Sequence, residues 1–192
     1  MKFADPVVPD KISEEEAAKL ETVDLGAGCF WCIEAVLHRI KGVKSAESGY
    51  MGGHVKDPTY KQICTGTTGH AEIVRVKFDP EELPFEKLLE VFWELHDPTT
   101  LNRQGADVGT QYRSAIFYHS DEQKKVADAS KAKKDKSGKF DNPIVTEITA
   151  TSDYFSAEDY HQDYFEANKT LPYCRAVIWP KLEKLGLIVE DK

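Results

Sequence analysis

Apolar positions recur along this chain at two periods. Thr22-Val23-Asp24-Leu25 alternates as a short strand does. Phe30, Ile33, Leu37 and Ile40 then follow at the spacing of one buried helix face, with Gly42 closing the run. Val43 to Tyr50 is expected as a second strand, ended by Met51-Gly52-Gly53. Asp57-Pro58 reads as the cap and first residue of a short helix through Tyr60 and Ile63, and Thr65–Gly69 as a loop. Alternation returns from His70, with Glu72, Val74, Val76 and Phe78 on one face and Ile73, Arg75 and Lys77 on the other. Asp79-Pro80 ends that strand. Phe85, Leu88, Leu89, Phe92 and Leu95 then form the apolar side of a helix running to His96.

Residues 97–112 show no period and are expected as a long polar loop, a feature that in a compact domain is usually functional or mobile. Ser114 to Tyr118 is the next strand. Ser120 with Gln123 makes a capping box for a lysine-rich, solvated helix. Ile144 to Ala150 reads as a further strand, Ser156 as the cap of a helix through Tyr164, and Pro180 as the start of a last helix that stops at Gly186. Ahead of all this, residues 1–21 read as an arm with Pro6 and Pro9, then a short helix whose cap is Ser13 in Ser13-Glu14-Glu15-Glu16.

Up to residue 118 the order is strand, helix, strand, strand, helix, strand. That order predicts an α+β fold of the split βαβ, ferredoxin-like kind: a two-layer sandwich with helices on one face, long functional loops and C-terminal extensions. The 192 residues suit a single catalytic domain with a core of its own. A net charge of −8 argues against nucleic acid or an anionic membrane as the main partner, since both select basic surfaces. No stretch reaches membrane-spanning length and no basic n-region precedes an apolar core, so the expected location is cytoplasmic. Four cysteines are too few for a disulfide framework, which suggests thiols kept for chemistry.

The chemistry centres on Gly26-Ala27-Gly28-Cys29-Phe30-Trp31-Cys32-Ile33-Glu34. Cys29 falls where a strand turns into a helix, among the first free backbone N–H groups, and the positive end of the helix dipole there favours thiolate over thiol. A preceding glycine lets another chain approach. Two aromatics follow at once, and Cys32 comes one helical turn later. The pattern is that of a reactive thiol with an apolar pocket; the plainer alternative is a buried cysteine acting as a small hydrophobe. Zinc would need a second ligand pair, and Cys64 and Cys174 stand alone, so no metal is expected. Cys64 is expected to be buried on an apolar helix face.

Glu72 ends an apolar row. A half-buried carboxyl there resists ionisation and can donate a proton near neutral pH, whereas at an exposed strand edge it would be an ordinary surface acid. Tyr60, Tyr112 and Asp107 lie in the flanking loops and are unremarkable singly. His70, His96 and His161 are scattered, and each reads as a satisfied structural histidine.

Seven motifs in order then point to a family: Gly28-Cys29-Phe30-Trp31; Gly49-Tyr50-Met51-Gly52-Gly53; Pro58-Thr59-Tyr60; Thr65 through Glu72; Asp97 through Gly105; Asp107 through Ser114; and Tyr160-His161-Gln162-Asp163-Tyr164. Together they resemble peptide methionine sulfoxide reductase A, over about Leu25 to Tyr173. The resemblance implies that Cys29 attacks the sulfoxide sulfur and that Phe30 and Trp31 seat the methionine methyl group. Glu72 would protonate the sulfoxide oxygen, with Tyr60 and Tyr112 hydrogen-bonding it and Asp107 helping to hold the site. It further implies action on the S epimer, a sulfenic acid on Cys29, condensation of that acid to a disulfide by a second thiol, and reduction by thioredoxin or a similar dithiol. No cofactor is implied, and a monomer is expected.

The departure from the family pattern is Cys32, where members commonly carry glycine. One helical turn places it within disulfide reach of Cys29, so Cys32 is the preferred resolving thiol. Cys174 matches the C-terminal position of resolving cysteines in other members and is the alternative. Two competing classes remain open: a thioredoxin-like disulfide oxidoreductase, and a non-catalytic protein that binds exposed methionine.

Overall fold

The computed structural model describes residues 14–187. A one-turn helix α1 (Glu14–Ala17) precedes strand β1 (Glu21–Ala27); the expected cap at Ser13 lies outside the described residues. Next come α2 (Phe30–Leu37), β2 (Val43–Met51), α3 (Tyr60–Ile63), β3 (Ala71–Phe78) and α4 (Phe85–Leu95). They are followed by β4 (Arg103–Gln104), β5 (Asp107–Val108), β6 (Ser114–Tyr118), α5 (Asp121–Asp135), β7 (Glu147–Ala150), β8 (Phe155–Ser156), α6 (Tyr164–Ala167) and α7 (Trp179–Lys184). The fold is α+β. Among the described residues no helix is long and apolar enough to cross a membrane.

The main sheet runs β7-β6-β1-β3-β2-β8. β1 pairs antiparallel with both β3 and β6, and β2 pairs antiparallel with β3. The period-2 reading of β3 holds. Val74, Val76 and Phe78 join the principal core with Phe30, Ile33 and Leu37 of α2 and Leu88, Leu89 and Phe92 of α4. Ile73 falls on the opposite face, in a smaller cluster with Met51, Ala71, Ala115 and Phe117. Leu88, Leu89 and Phe92 are fully buried, which fits the wide apolar stripe of α4. β7 lies parallel to β6 because α5 carries the chain back across the sheet.

Several boundaries differ from expectation, each for a local reason. α3 is capped by Thr59, not Asp57: the Thr59 side chain accepts from the Gln62 N–H while the Gln62 side chain accepts the Thr59 N–H, a complete capping box. Ser120 does cap α5, but the Gln123 side chain takes the N–H of His119, the residue before the cap. The aperiodic stretch 97–112 contains the two-stranded β4–β5 hairpin and a 3-10 turn, Thr110–Tyr112. Only Glu147–Ala150 of the 144–150 stretch is strand.

Ser156 caps no helix. It lies in β8, an edge strand paired with Gly49 of β2. The pairing needs the missing side chain: a Cβ on Gly49 would stand 2.3 Å from the Tyr154 ring and 2.7 Å from the Phe155 carbonyl. A 3-10 turn (Asp159–His161) follows, and α6 begins only at Tyr164. Pro180 sits in the first turn of α7, as expected, after a π-helical turn at Cys174–Ile178 that no periodicity announced.

Candidate active site

β1 delivers the chain to Gly28, which bends it at φ +92 into α2. A side chain there would meet Gln104 of the β4–β5 hairpin at 2.7 Å, so glycine is needed both for the turn and for that close approach. Cys29 is the N-cap of α2, yet its side chain makes no capping bond. The first free amide of the helix, that of Phe30, donates instead to Oε2 of Glu72 at 3.1 Å.

Glu72 lies directly opposite Tyr50 on β2 and is 1% exposed, so it is not an edge residue. Burial pushes its carboxyl up to about 8; the Phe30 amide opposes the rise, and the charges of Asp107 and Cys32 add to it. At neutral pH this group holds its proton. Tyr60 and Tyr112 are both raised, first by burial and next by the negative potential of Glu72, so the structure brings both around that carboxyl. Asp107 is raised by burial, with the Lys181 cation opposing.

The thiols correct the sequence reading. Cys29 was expected as the low-pKa partner at the dipole. In the structure the Cys32 thiol beside it, and then burial, hold Cys29 well above the ordinary thiol range. Cys32 is brought down to about 7, chiefly because Cys29 donates to it, with Lys181 and the Tyr173 hydroxyl assisting. The reason is concrete. The amide that would have favoured a Cys29 thiolate is spent on Glu72, and one helical turn places Cys32 where it accepts the Cys29 S–H. Of the two thiols, Cys32 is therefore the more acidic. The Tyr173 oxygen lies 3.7 Å from the Cys32 sulfur.

Aromatic rings enclose the pair. Phe30 is fully buried and Trp31 half-buried. Trp31 stacks on Tyr164 with centroids 3.8 Å apart at 7°, and meets Tyr173 edge-on at 5.6 Å. Its indole N–H donates to Nδ1 of His161 at 3.0 Å. Since indole can only donate, His161 is neutral with its proton on Nε2, in keeping with a pKa lowered by burial. Tyr60 closes the wall, 4.4 Å from His161 and 6.4 Å from Phe30. The arrangement is an apolar cup of rings packed around two thiols, with the Glu72 carboxyl group bonded to the first amide of the helix that carries them.

Cys29, Cys32, Phe30, Trp31, Glu72, Tyr60, Tyr112 and Asp107 thus converge. Cys174 is fully buried behind them, its thiol raised by burial and by the Cys32 charge. Cys64 corrects another expectation: it is exposed, at the C-terminal end of α3. His70 and His96 are satisfied structural histidines. His70 is bonded to Val55 and Gly53, and His96 to Phe92 and Ser114. His161 is not: it belongs to the cup. Tyr164 and Tyr173 were also missed, although both stand in stretches the sequence singled out. Glu158 carried no signal at all, being one acid in a polar loop; its carboxylate accepts the Tyr50 hydroxyl and the Tyr60 N–H, each at 2.9 Å, and so anchors α3.

No group of three His, Cys, Asp or Glu suited to a metal occurs among the described residues. A cavity of about 460 Å³ between α4, α5 and the residues after α7, lined by Val91, Trp93 and Leu185, lies apart from this cup and holds no thiol.

The family model for peptide methionine sulfoxide reductase matches residues 21–190. The chain belongs to the peptide methionine sulfoxide reductase family. It is 54% identical over 173 residues to the peptide methionine sulfoxide reductase MsrA of Trichodesmium erythraeum, covering 90% of this chain and 98% of that one. It is 59% identical over 156 residues to the MsrA of Methanosarcina mazei, covering 81% and 74%. Among solved structures, the crystal structure of Mxr1 from Saccharomyces cerevisiae in reduced form superposes with a TM-score of 0.75 at 36% identity, over 82% of this chain and 90% of that one. Methionine sulfoxide reductase A of Corynebacterium diphtheriae gives 0.71 at 36% identity, over 81% and 79%.

Proposed function

We propose that the protein reduces methionine S-sulfoxide, free or in proteins, to methionine, repairing proteins after oxidation. The observation that carries this reading is a reactive thiol pair and a protonated buried carboxyl group, Glu72, facing one aromatic cup. Phe30 and Trp31, with Tyr164, receive the methyl group. Tyr60 and Tyr112 bond the sulfoxide oxygen, and Asp107 helps hold that arrangement.

The Cys29 proton passes to the Cys32 thiolate as the Cys29 sulfur attacks the sulfoxide sulfur, and Glu72 protonates the sulfoxide oxygen. Oxygen leaves with Cys29: Cys29–SH and the sulfoxide become Cys29–SOH and methionine. Cys32–SH then condenses with the sulfenic acid, forming the Cys29–Cys32 disulfide and releasing water. Thioredoxin or a similar dithiol reduces that disulfide by exchange. Cys32 is favoured as resolver because it stands one helical turn from Cys29 at the start of the same helix, and Cys174 is the alternative. A thioredoxin-like oxidoreductase is disfavoured by the two bulky aromatics inside the CxxC. A mere methionine-binding pocket is disfavoured because it has no use for a carboxyl group held protonated.

The test is to supply each sulfoxide epimer separately with dithiothreitol and measure methionine. Turnover of the S epimer alone supports the reading; no turnover of either ends it.

Three further readings belong here. The central strand order β6-β1-β3-β2, all antiparallel, supports the split βαβ, ferredoxin-like description. One continuous principal core supports a single catalytic domain. The net charge of −8 and lack of a spanning helix among the described residues fit a cytoplasmic location.

A further inference from the structure

Glu158 is half-buried in the turn between β8 and α6 and takes no part in the chemistry proposed above. Its two carboxylate oxygens hold two different elements. Oε1 accepts the backbone N–H of Tyr60, the first residue of α3, at 2.9 Å. Oε2 accepts the hydroxyl of Tyr50 on β2, also at 2.9 Å. Burial opposes ionisation of this group, but its donors, the Tyr60 N–H foremost, hold it below the ordinary carboxylate range. The acceptor is therefore charged, which strengthens both bonds.

The frame behind Glu158 is fixed to β2. The Ala157 N–H donates to the Ser48 carbonyl at 2.9 Å, and the Gln162 side chain donates to the carbonyls of both residues at the same distance. The Ser48 N–H returns a bond to Oε1 of Gln162 at 2.9 Å. Tyr50, two residues along β2 from Ser48, is fully buried and stands opposite Glu72. By contrast α3 has only four residues, too few to hold a place by its own hydrogen bonds. Its capping box joins Thr59 to Gln62 and reaches no other element. Ile63 buries the far end of α3 in the core, and Glu158 fixes the end that carries Tyr60. That end sets the Tyr60 ring in the wall of the cup, 4.4 Å from His161 and 6.5 Å from Trp31.

We propose that Glu158 is a positioning residue for the reduction: by tying the first amide of α3 to Tyr50 of β2, it places the Tyr60 hydroxyl for the sulfoxide oxygen. The proposal rests on the sulfoxide reductase reading, which gives that oxygen to Tyr60.

The test is a double-mutant cycle on the single-turnover rate with methionine S-sulfoxide, using Glu158→Ala, Glu158→Gln, Tyr60→Phe and the Ala/Phe double variant. A displacement of about 1 Å can cost about 10²-fold in rate, so Glu158→Ala is expected to slow the step about tenfold. Glu158→Gln keeps an amide oxygen for the Tyr60 N–H and an amide donor for the Tyr50 oxygen, and should stay within about twofold of the parent. In the Tyr60→Phe background, Glu158→Ala should change the rate less than about twofold, because the hydroxyl it places is gone. Equal losses in both backgrounds, or an unchanged rate in Glu158→Ala of an active parent, would overturn the proposal. A role in general stability does not depend on one hydroxyl group. Amide exchange at Tyr60 in the parent is the second readout. Slowed exchange supports the tie, and exchange at the rate of an open peptide overturns it even if the alanine variant fails to fold. A parent inactive on both sulfoxide epimers would end the reductase reading and this role with it.

Discussion

The Phe30 backbone N–H donates to Oε2 of Glu72 across 3.1 Å, and this one bond sets the state of two residues. It fixes a buried carboxyl group at the start of the helix that carries both thiols. It also removes from Cys29 the amide that an N-terminal cysteine would ordinarily use. The helix dipole therefore acts first on an acid that stays protonated, and the pair of thiols settles its own charge.

Glu72→Gln should lower the single-turnover rate of sulfoxide reduction by about 10²–10⁴-fold, the usual contribution of a positioned acid, with a much smaller effect on binding. Because the parent Glu72 titrates at about 8, the parent rate should decline as pH rises through that value, and the glutamine variant should lack that limb. Rapid-quench measurement across pH decides this; an unchanged rate at neutral pH would make Glu72 structural only.

The same group makes stability depend on pH. Its carboxyl titrates at about 8 when folded against an ordinary 4.5. Between those values the folded state holds a proton that the unfolded chain has lost. Stability from this group is thus full below 4.5, falls as pH rises toward 8, and is level above. The loss is on the order of a few kcal/mol at 1.36 kcal/mol per unit. Urea unfolding of parent and Glu72→Gln from pH 5 to 8 should show the parent losing stability relative to the variant; a constant difference would contradict the assignment.

Cys32→Ser removes the anion that holds Cys29 protonated, so the charge should move to Cys29 and its titration, followed by thiolate absorbance, should shift downward. With dithiothreitol, which attacks a sulfenic acid directly, turnover should stay close to the parent. With thioredoxin, which needs a disulfide, the variant should stall after one turnover. Sustained thioredoxin-supported turnover would shift the resolving role to Cys174.

Gly28→Ala puts a side chain at φ +92 and 2.7 Å from Gln104. The left-handed backbone alone costs about 1–2 kcal/mol, and relief of the contact must move either the hairpin or Cys29. Lower stability together with lower activity is the expected outcome, read from an unfolding curve and a rate. A parent-like protein would show that the β4–β5 hairpin does not constrain the thiol.

The alternation of Val74, Val76 and Phe78 made β3 and its buried face legible in advance, because period-2 geometry carries over from sequence unchanged; it left open whether Glu72, at the end of that row, was buried or exposed, and the structure buries it. The Cys29–Cys32 juxtaposition was legible as a helical turn. The direction of the charge was not, since it depends on Glu72, forty-three positions later, taking the Phe30 amide. Nor were His161, Tyr164 and Tyr173: they come from a stretch of short turns, where the chain is placed by side chains such as Gln162 and Glu158 that leave no period to read.

The central claim is that Cys29 takes the sulfoxide oxygen and Cys32 closes the disulfide. Reduced enzyme should be mixed with one equivalent of methionine S-sulfoxide without reductant, methionine and free thiols counted, and the oxidised cysteines mapped by mass spectrometry. The account predicts one methionine per enzyme, two thiols lost and a Cys29–Cys32 pair, with no methionine formed by Cys29→Ser. Methionine formed while Cys29 remains a free thiol, or formed equally well by Cys29→Ser, would contradict it.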